Sequence, residues 1–172
     1  MTEAKWANEG YIPTMEEHLQ VSYISIGYKY ALIAGFAAMG DVITHETFKW
    51  ALNDPPLVNA CCRLCRTMDD IVNNESEQGR KHVAFSIKSY MNEFGVSEEQ
   101  TNELFNERVE DAWKELNGEF IACKDVKLPT TTRLINFARS MEVLYKNKDH
   151  YTNIGDELIN HIKSLLVDAV IT

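Results

Sequence analysis

The sequence predicts an all-α protein that folds as one helical bundle. Apolar residues recur at helical spacing along almost the whole chain, and no segment alternates apolar and polar residues for long enough to indicate a strand. The 172 residues only slightly exceed the roughly 150 of a typical domain. No internal repeat or linker-like tract divides them. We therefore expect one domain of about six or seven helices with short connections.

The first predicted helix covers Glu16–Met39 and is long and mostly apolar. Gly27 is a candidate break in it, because a glycine inside a helix costs about 1 kcal/mol relative to alanine. A short helix follows, for which Thr44 is a plausible N-cap. That helix must end before Pro55 and Pro56, because proline lacks a backbone N–H and restricts the residue before it.

The next helix is predicted to begin near Pro56, since proline is favoured in the first turn, and to run at least to Asn74. Its apolar stripe has the spacing of a buried face. The residues of this stripe are Leu57, Cys61, Cys65, Met68 and Val72.

The second half of the chain is predicted to hold four further helices. One ends at Gly95, which suits the left-handed residue that follows many helices, and the next starts with the capping box of Ser97 and Gln100. After a loop over Cys123–Pro129, Thr130–Thr132 is expected to cap another helix. A last amphipathic helix follows a polar interruption and carries Leu158, Ile159, Ile162, Leu165 and Leu166.

Charge and hydropathy exclude several classes of partner. The chain has 17 Lys and Arg against 26 Asp and Glu, which gives a net charge of −9. This is the wrong sign for wrapping nucleic acid or lying on an anionic membrane. No apolar run approaches the ~18 residues of a membrane span, and the start of the chain does not resemble a targeting peptide. We expect no nucleic-acid or membrane partner, so an anionic ligand must be held locally by a few cations or a metal.

The cysteines indicate a reducing compartment. Cys61, Cys62 and Cys65 lie too close together in sequence for disulfide bonds that would cross-link the fold, and Cys123 is distant from them. The pair Cys62 and Cys65 has C-x-x-C spacing, but no second pair follows at zinc spacing. We expect buried thiols and a cytoplasmic protein.

A second, polar stripe runs along the helix that begins near Pro56. At about 100° per residue its members stay on one face, a quarter turn from the apolar stripe. They are Arg66, Asp69, Asn73, Glu77 and Arg80. Carboxylate and amide oxygens suit Mg²⁺, and arginine offers the planar fork that binds phosphate. The alternative is a ladder of i, i+3 ion pairs on a solvated helix, which such spacing also predicts.

The local sequence resembles a known metal motif. Residues Asp69 to Glu77 read D-D-I-V-N-N-E-S-E, which resembles the second metal motif of class I terpene synthases, (N/D)-D-(L/I/V)-x-(S/T)-x-x-x-E. The resemblance extends along the whole chain through Glu9–Pro13, Cys65-Arg66, Glu77-Gln78, Arg80, His82, Ala112–Asn117, Tyr151-Thr152 and Leu165–Asp168. The chain is similar to the C-terminal part of a plant sesquiterpene synthase, which implies a partial helical bundle of the class I terpenoid synthase type.

The resemblance implies roles for individual residues. Asp69, Asn73 and Glu77 would hold Mg²⁺, with Mn²⁺ as an alternative, although the family usually has Ser or Thr at the position of Asn73. Arg66 would bind the diphosphate of a prenyl diphosphate, and Arg80 is a second candidate for that contact.

Two further groups follow from the same resemblance. A break in the pocket helix would turn backbone carbonyls toward a carbocation, and it comprises Ser25, Ile26 and Gly27. The acid and tyrosines of the lid region near the pocket mouth match Tyr145, Asp149 and Tyr151. Core packing is the alternative role for each of these aromatic residues.

The family also uses an earlier D-D-x-x-D motif, whereas the only adjacent aspartates here are Asp69 and Asp70. We therefore expect residues 1–172 to be the C-terminal part of a catalytic domain, inactive alone and monomeric at full length. The implied activity is Mg²⁺-dependent cyclisation of farnesyl diphosphate to a sesquiterpene. The alternatives are a monoterpene synthase that uses geranyl diphosphate, and a helical module without catalytic activity.

Overall fold

A computed structural model describes residues 2–77 and 85–168, with the side chains of residues 74–77 and 85 left out. Every regular element in these two ranges is helical, which confirms the predicted fold class. In chain order the elements are α1 (Thr2–Glu9), α2 (Met15–Ser25), α3 (Tyr28–Phe36), a 3₁₀ segment (Ala37–Val42), α4 (His45–Leu52), α5 (Pro56–Glu77), α6 (Phe85–Phe94), α7 (Glu98–Ala122), α8 (Leu128–Tyr145) and α9 (Asp156–Leu166).

Helix α5 is the centre of the bundle. It packs most extensively on α7 and α8, and it also contacts α2, α3 and α6. All five residues of its predicted apolar stripe are buried, and the thiols of Cys61, Cys62 and Cys65 are buried and unpaired as expected. Because α5 is surrounded, its polar stripe must also lie close to the core.

The predicted break at Gly27 is confirmed. Gly27 has φ 75°, a left-handed conformation that costs glycine little, and it separates α2 from α3. The expected helix over Glu16–Met39 is therefore two α-helices followed by the 3₁₀ segment. The caps at Thr44 and Ser97 form as predicted.

Two expectations about the helices are wrong: where α8 begins, and how many helices there are. Helix α8 begins at Leu128, so the loop after α7 is shorter than predicted and Lys127, not Thr130–Thr132, is the N-cap. Pro129 accounts for this, because proline is tolerated in a first turn whose N–H groups have no helical partner. The prediction of six or seven helices is too low, since the described ranges contain nine α-helices, among them the unpredicted α1.

The C-terminal helix α9 is as amphipathic as predicted but contains no buried residue. Leu165 and Leu166 are each 81% exposed. In the part of the chain that the structure covers, no helix combines the length and apolar character needed to cross a membrane.

Candidate active site

Three residues of the polar stripe meet along one face of α5. Arg66 Nη1 lies 3.7 Å from Asp69 Oδ2, and Asn73 Nδ2 donates a hydrogen bond of 3.0 Å to Asp69 Oδ1. The side chains of Arg66 and Asp69 are only 15% and 13% exposed, so the stripe lies at the edge of the core and is not a solvated face. The side chain of Glu77 and the whole of Arg80 lie outside the described residues.

The Asp69 carboxylate lies where additional positive charge would stabilise it. Burial raises its pKa to about 6, and the nearby carboxylates of Asp70 and Asp149 act in the same direction, whereas Arg66 and the hydrogen bond from Asn73 lower the pKa. Such a carboxylate binds a cation favourably, because the positive charge offsets both the cost of burying the Asp69 carboxylate and its repulsion by Asp70 and Asp149.

Arg66 is held mainly by Asp70. The Asp70 side chain is almost fully buried, and its Oδ1 accepts a charge-assisted hydrogen bond from Arg66 Nη2 while its Oδ2 accepts one from the Ser86 hydroxyl. Arg66 Nε is buried and has no hydrogen-bond partner among the residues that the structure describes. A buried N–H without an acceptor is costly, so this donor suits an anionic ligand.

Two tyrosines stand near Asp69. Burial raises the pKa of Tyr28, and Asp69 and the Tyr145 phenol raise it further. The pKa of Tyr145 is raised to about 12, mainly by burial; Tyr28 opposes this shift, and Asp69 adds to it. Both phenols are therefore neutral at physiological pH. Tyr145 was predicted from the sequence and Tyr28 was not, although Tyr28 lies directly after the break at Gly27.

The loop after α8 brings one predicted residue to the site and leaves another in solvent. Asp149 is buried, and its Oδ1 accepts hydrogen bonds of 2.9 Å from the amides of Tyr151 and Thr152. Its charge raises the pKa of Asp69 and of Tyr145. The Tyr151 side chain is 75% exposed, so only its backbone takes part.

The break between α2 and α3 exposes backbone acceptors. The Gly27 carbonyl accepts hydrogen bonds from the amides of Tyr30 and Ala31. The carbonyls of Ser25 and Ile26 receive no backbone hydrogen bond within the described ranges. A left-handed residue at this point thus leaves carbonyl oxygens available between two helices.

The donor set of the polar stripe fits a hard divalent cation. Asp69 supplies a carboxylate and Asn73 an amide oxygen, and Mg²⁺ needs few protein ligands because it keeps water and phosphate oxygens in its shell. No group of three or more His, Cys, Asp or Glu residues is arranged to hold a metal among the residues described. A site here would therefore depend on oxygens from the ligand and on groups outside the described side chains.

Two cavities border these residues. One of about 200 Å³ lies between α2, α5 and α7 and is lined in part by Arg66 and Asp70. The other, of about 680 Å³, lies between α5, α7 and the end of α8 and has Met68, Ile71 and Tyr145 in its wall. The cavity beside Arg66 is the smaller of the two.

Residues 1–115 match the model of the terpene synthase family, metal binding domain. The chain is 64% identical over 170 residues to the alpha-isocomene synthase of Matricaria chamomilla var. recutita and 46% identical over 167 residues to a sesquiterpene synthase of Xanthium strumarium. These alignments cover 99% and 97% of this chain but only 31% and 30% of the two relatives. The chain therefore spans less than a third of the length of these relatives.

The fold is also similar to that of a solved structure. The isoprene synthase of grey poplar, in complex with three Mg²⁺ ions and dimethylallyl-S-thiolodiphosphate, matches with a TM-score of 0.83. That match has 23% sequence identity and covers 99% of this chain and 32% of the poplar protein.

Proposed function

Because this chain belongs to the terpene synthase family, we propose that it is part of an enzyme that ionises and cyclises farnesyl diphosphate and releases diphosphate. The observation that carries the proposal is the contact of Asp69 and Asn73 beside a buried arginine whose Nε lacks an acceptor among the described residues. The relatives named as sesquiterpene synthases favour farnesyl over geranyl diphosphate as the substrate.

The polar stripe would form the metal and diphosphate site. Asp69, Asn73 and Glu77 would hold Mg²⁺, or Mn²⁺ in its place. The metal, when bound, supplies positive charge that stabilises the departing diphosphate. Arg66 would donate hydrogen bonds to the same diphosphate, and Arg80 would provide a second cationic contact.

Other residues would serve the hydrocarbon part of the substrate. When the C–O bond breaks, the electron pair leaves with the diphosphate and a carbocation remains. The aromatic faces of Tyr28 and Tyr145 can stabilise it, and so can carbonyl oxygens at the break formed by Ser25, Ile26 and Gly27. Asp149 would hold the loop at the pocket mouth through the backbone of Tyr151, whose ring would join the site only if the loop rearranged.

We propose that all of residues 1–172 belong to one catalytic domain. The family match ends at residue 115, but the later part of α7 and residues 134–145 of α8 contribute to the same core as α5. The four unpaired cysteines support a cytoplasmic location. We also propose that the full-length protein is a monomer.

The test is ligand-dependent stabilisation of this chain. Mg²⁺ with inorganic pyrophosphate should raise the melting temperature by about 5–10 °C at a hundredfold excess over Kd. Either ligand alone should have a much smaller effect, because each completes the site for the other. The shift should be lost in Asp69→Ala and in Glu77→Ala.

The matched control is Asp125→Ala, which removes an exposed carboxylate in the loop before α8 and should keep the full shift. An equal shift in Asp69→Ala and Asp125→Ala would contradict the proposed site. The substrate is tested on the protein encoded by the complete native transcript, with farnesyl and geranyl diphosphates compared by kcat/KM. A preference for geranyl diphosphate would assign the protein to monoterpene synthesis instead.

A further inference from the structure

A chain of buried polar side chains joins three helices and ends at Arg66. From α2, His18 Nε2 lies 2.5 Å from the Ser86 hydroxyl oxygen of α6. Ser86 in turn contacts Asp70 of α5, which binds Arg66. His18 and Ser86 are fully buried, and Asp70 is 2% exposed. We call these four residues, His18, Ser86, Asp70 and Arg66, the relay. None of them is a predicted metal ligand.

The hydrogen bonds of the relay have a defined direction. A serine hydroxyl has one hydrogen, and in Ser86 it is donated to Asp70 Oδ2. His18 Nε2 must therefore carry a hydrogen and donate it to the Ser86 oxygen. Burial is the main cause that lowers the pKa of His18, so the ring is neutral with its hydrogen on Nε2 at physiological pH.

These hydrogen bonds fix the orientation of the Asp70 carboxylate. Arg66 and Ser86 occupy different oxygens of Asp70, so rotation of the carboxylate would break one of the two hydrogen bonds. A fixed Asp70 in turn fixes the plane of the Arg66 guanidinium. Arginine loses considerable side-chain entropy when it binds an anion, and a side chain that is already oriented avoids that cost.

We propose that His18 and Ser86 are positioning residues, which hold Asp70 so that Arg66 presents its Nε–H to a diphosphate oxygen. The inference rests on the proposed function, because the anion is the diphosphate of that reaction. His18 and Ser86 do not touch the ligand themselves.

The experiment compares two serines of α6 in this 172-residue chain. Ser86 and Ser89 are both fully buried, but the Ser89 hydroxyl has no hydrogen-bond partner in the described part of the chain. Calorimetry measures the Kd of inorganic pyrophosphate in the presence of Mg²⁺. We expect Ser86→Ala to weaken binding about tenfold, the lower end of the effect of removing a hydrogen-bond partner behind a metal ligand. Ser89→Ala should bind like the unmodified chain.

Conservative variants separate positioning from general stability. Ser86→Thr keeps the hydroxyl and should recover most of the affinity, and His18→Gln keeps a donor for Ser86 and should do the same. His18→Leu removes the donor and should weaken binding as Ser86→Ala does. If instead affinity follows melting temperature across these variants regardless of the hydroxyl, the inference is wrong.

A measurement without ligand distinguishes the two proposals. The ¹H–¹⁵N signal of Arg66 Nε, assigned with Arg66→Lys, should shift or broaden in Ser86→Ala and remain unchanged in Ser89→Ala. If the Arg66 Nε signal responds to the two variants in this way but the unmodified chain binds no pyrophosphate, the relay is supported and the proposed function fails. If Ser86→Ala and Ser89→Ala give the same Arg66 signal, the positioning role is overturned whatever the affinity.

Discussion

Helices α5 and α9 have similar sequence patterns and opposite environments. Each carries an apolar stripe at helical spacing, yet Leu57 and Leu64 of α5 are at most 1% exposed, whereas α9 has no buried residue. Helix α5 packs against α2, α3, α6, α7 and α8. Its Asp70 accepts a hydrogen bond from Ser86 of α6, which in turn contacts His18 of α2. An amphipathic pattern therefore specifies which face of a helix is apolar. The number of helices packed around that face decides how much the face contributes to stability.

The largest difference in stability between α5 and α9 is expected when one carboxylate is removed from each helix. Asp70→Ala leaves the buried Arg66 guanidinium without its main partner, and loss of one member of a buried pair costs about 3–5 kcal/mol. Asp156→Ala in the first turn of α9 removes an exposed charge, for which the helix dipole predicts about 0.3–1 kcal/mol. Urea unfolding measures both, and similar losses would show that the Asp70 relay is not important for stability.

Core leucines give the next largest contrast. Leu64→Ala opens a cavity in the centre of the bundle and should lower the free energy of unfolding by about 2–5 kcal/mol. Leu165→Ala on the exposed face of α9 should change it by less than about 0.5 kcal/mol. A large loss in Leu165→Ala, measured by the same urea titration at several protein concentrations, would mean that α9 is covered in solution.

His18 of α2, which contacts Ser86 beside α5, is expected to make the stability depend on pH. Burial lowers the pKa of His18, with Arg66 acting in the same direction and Asp70 opposing. The folded state therefore favours neutral His18. Its contribution to stability is complete above the unfolded pKa of about 6.5 and is lost as the pH falls below that value.

The melting temperature at pH 7.5 and pH 5.5 measures this effect. His18→Gln removes the titrating group, so the drop between the two pH values should become smaller. The comparison variant is His161→Gln, which changes an exposed histidine of α9. If the melting temperature of His18→Gln falls between pH 7.5 and pH 5.5 as much as that of the unmodified chain, other groups cause the acid sensitivity.

The smallest effect is expected at the start of α9. Gly155 is its N-cap and offers no side-chain hydrogen bond, and its φ of −109° suits any residue. Gly155→Ser should add a cap and slow hydrogen exchange in the first turn, with a gain of a few tenths of a kcal/mol. A new Cβ would meet only the end of the flexible Lys148 side chain, which can move away. Faster exchange in the serine variant would mean that the contact with Lys148 dominates.

Much of the fold was predictable because its signals are local. Thr44, Gly27 and Gly95 mark helix ends through their own hydrogen bonds or left-handed conformations, and the apolar stripe of α5 follows from helical geometry. The start of α8 was misplaced because Thr130–Thr132 and Pro129 both give plausible N-terminal signals, and the proline prevailed. The short α1 was missed because it buries no residue and so has no core-facing pattern.

The candidate site was only partly predictable. The contact between Asp69 and Asn73 follows from their spacing of four on one helix, so the sequence alone predicts it. The approach of Tyr28, Tyr145 and Asp149 to Asp69 joins residues from distant parts of the chain. Spacing cannot reveal such neighbours, because they depend on how α3 and α8 pack against α5.

The sequence by itself determined the helical class, most helix boundaries, and the face of α5 that carries Arg66, Asp69 and Asn73, since each depends on contacts within a few residues. Only the tertiary structure decided that Asp70 is buried and that Ser86 and His18 join it to α6 and α2. It also decided that the apolar face of α9 stays exposed. The physical reason is that burial and long-range hydrogen bonds depend on which helices surround a side chain, and neighbouring residues in the sequence do not encode that directly.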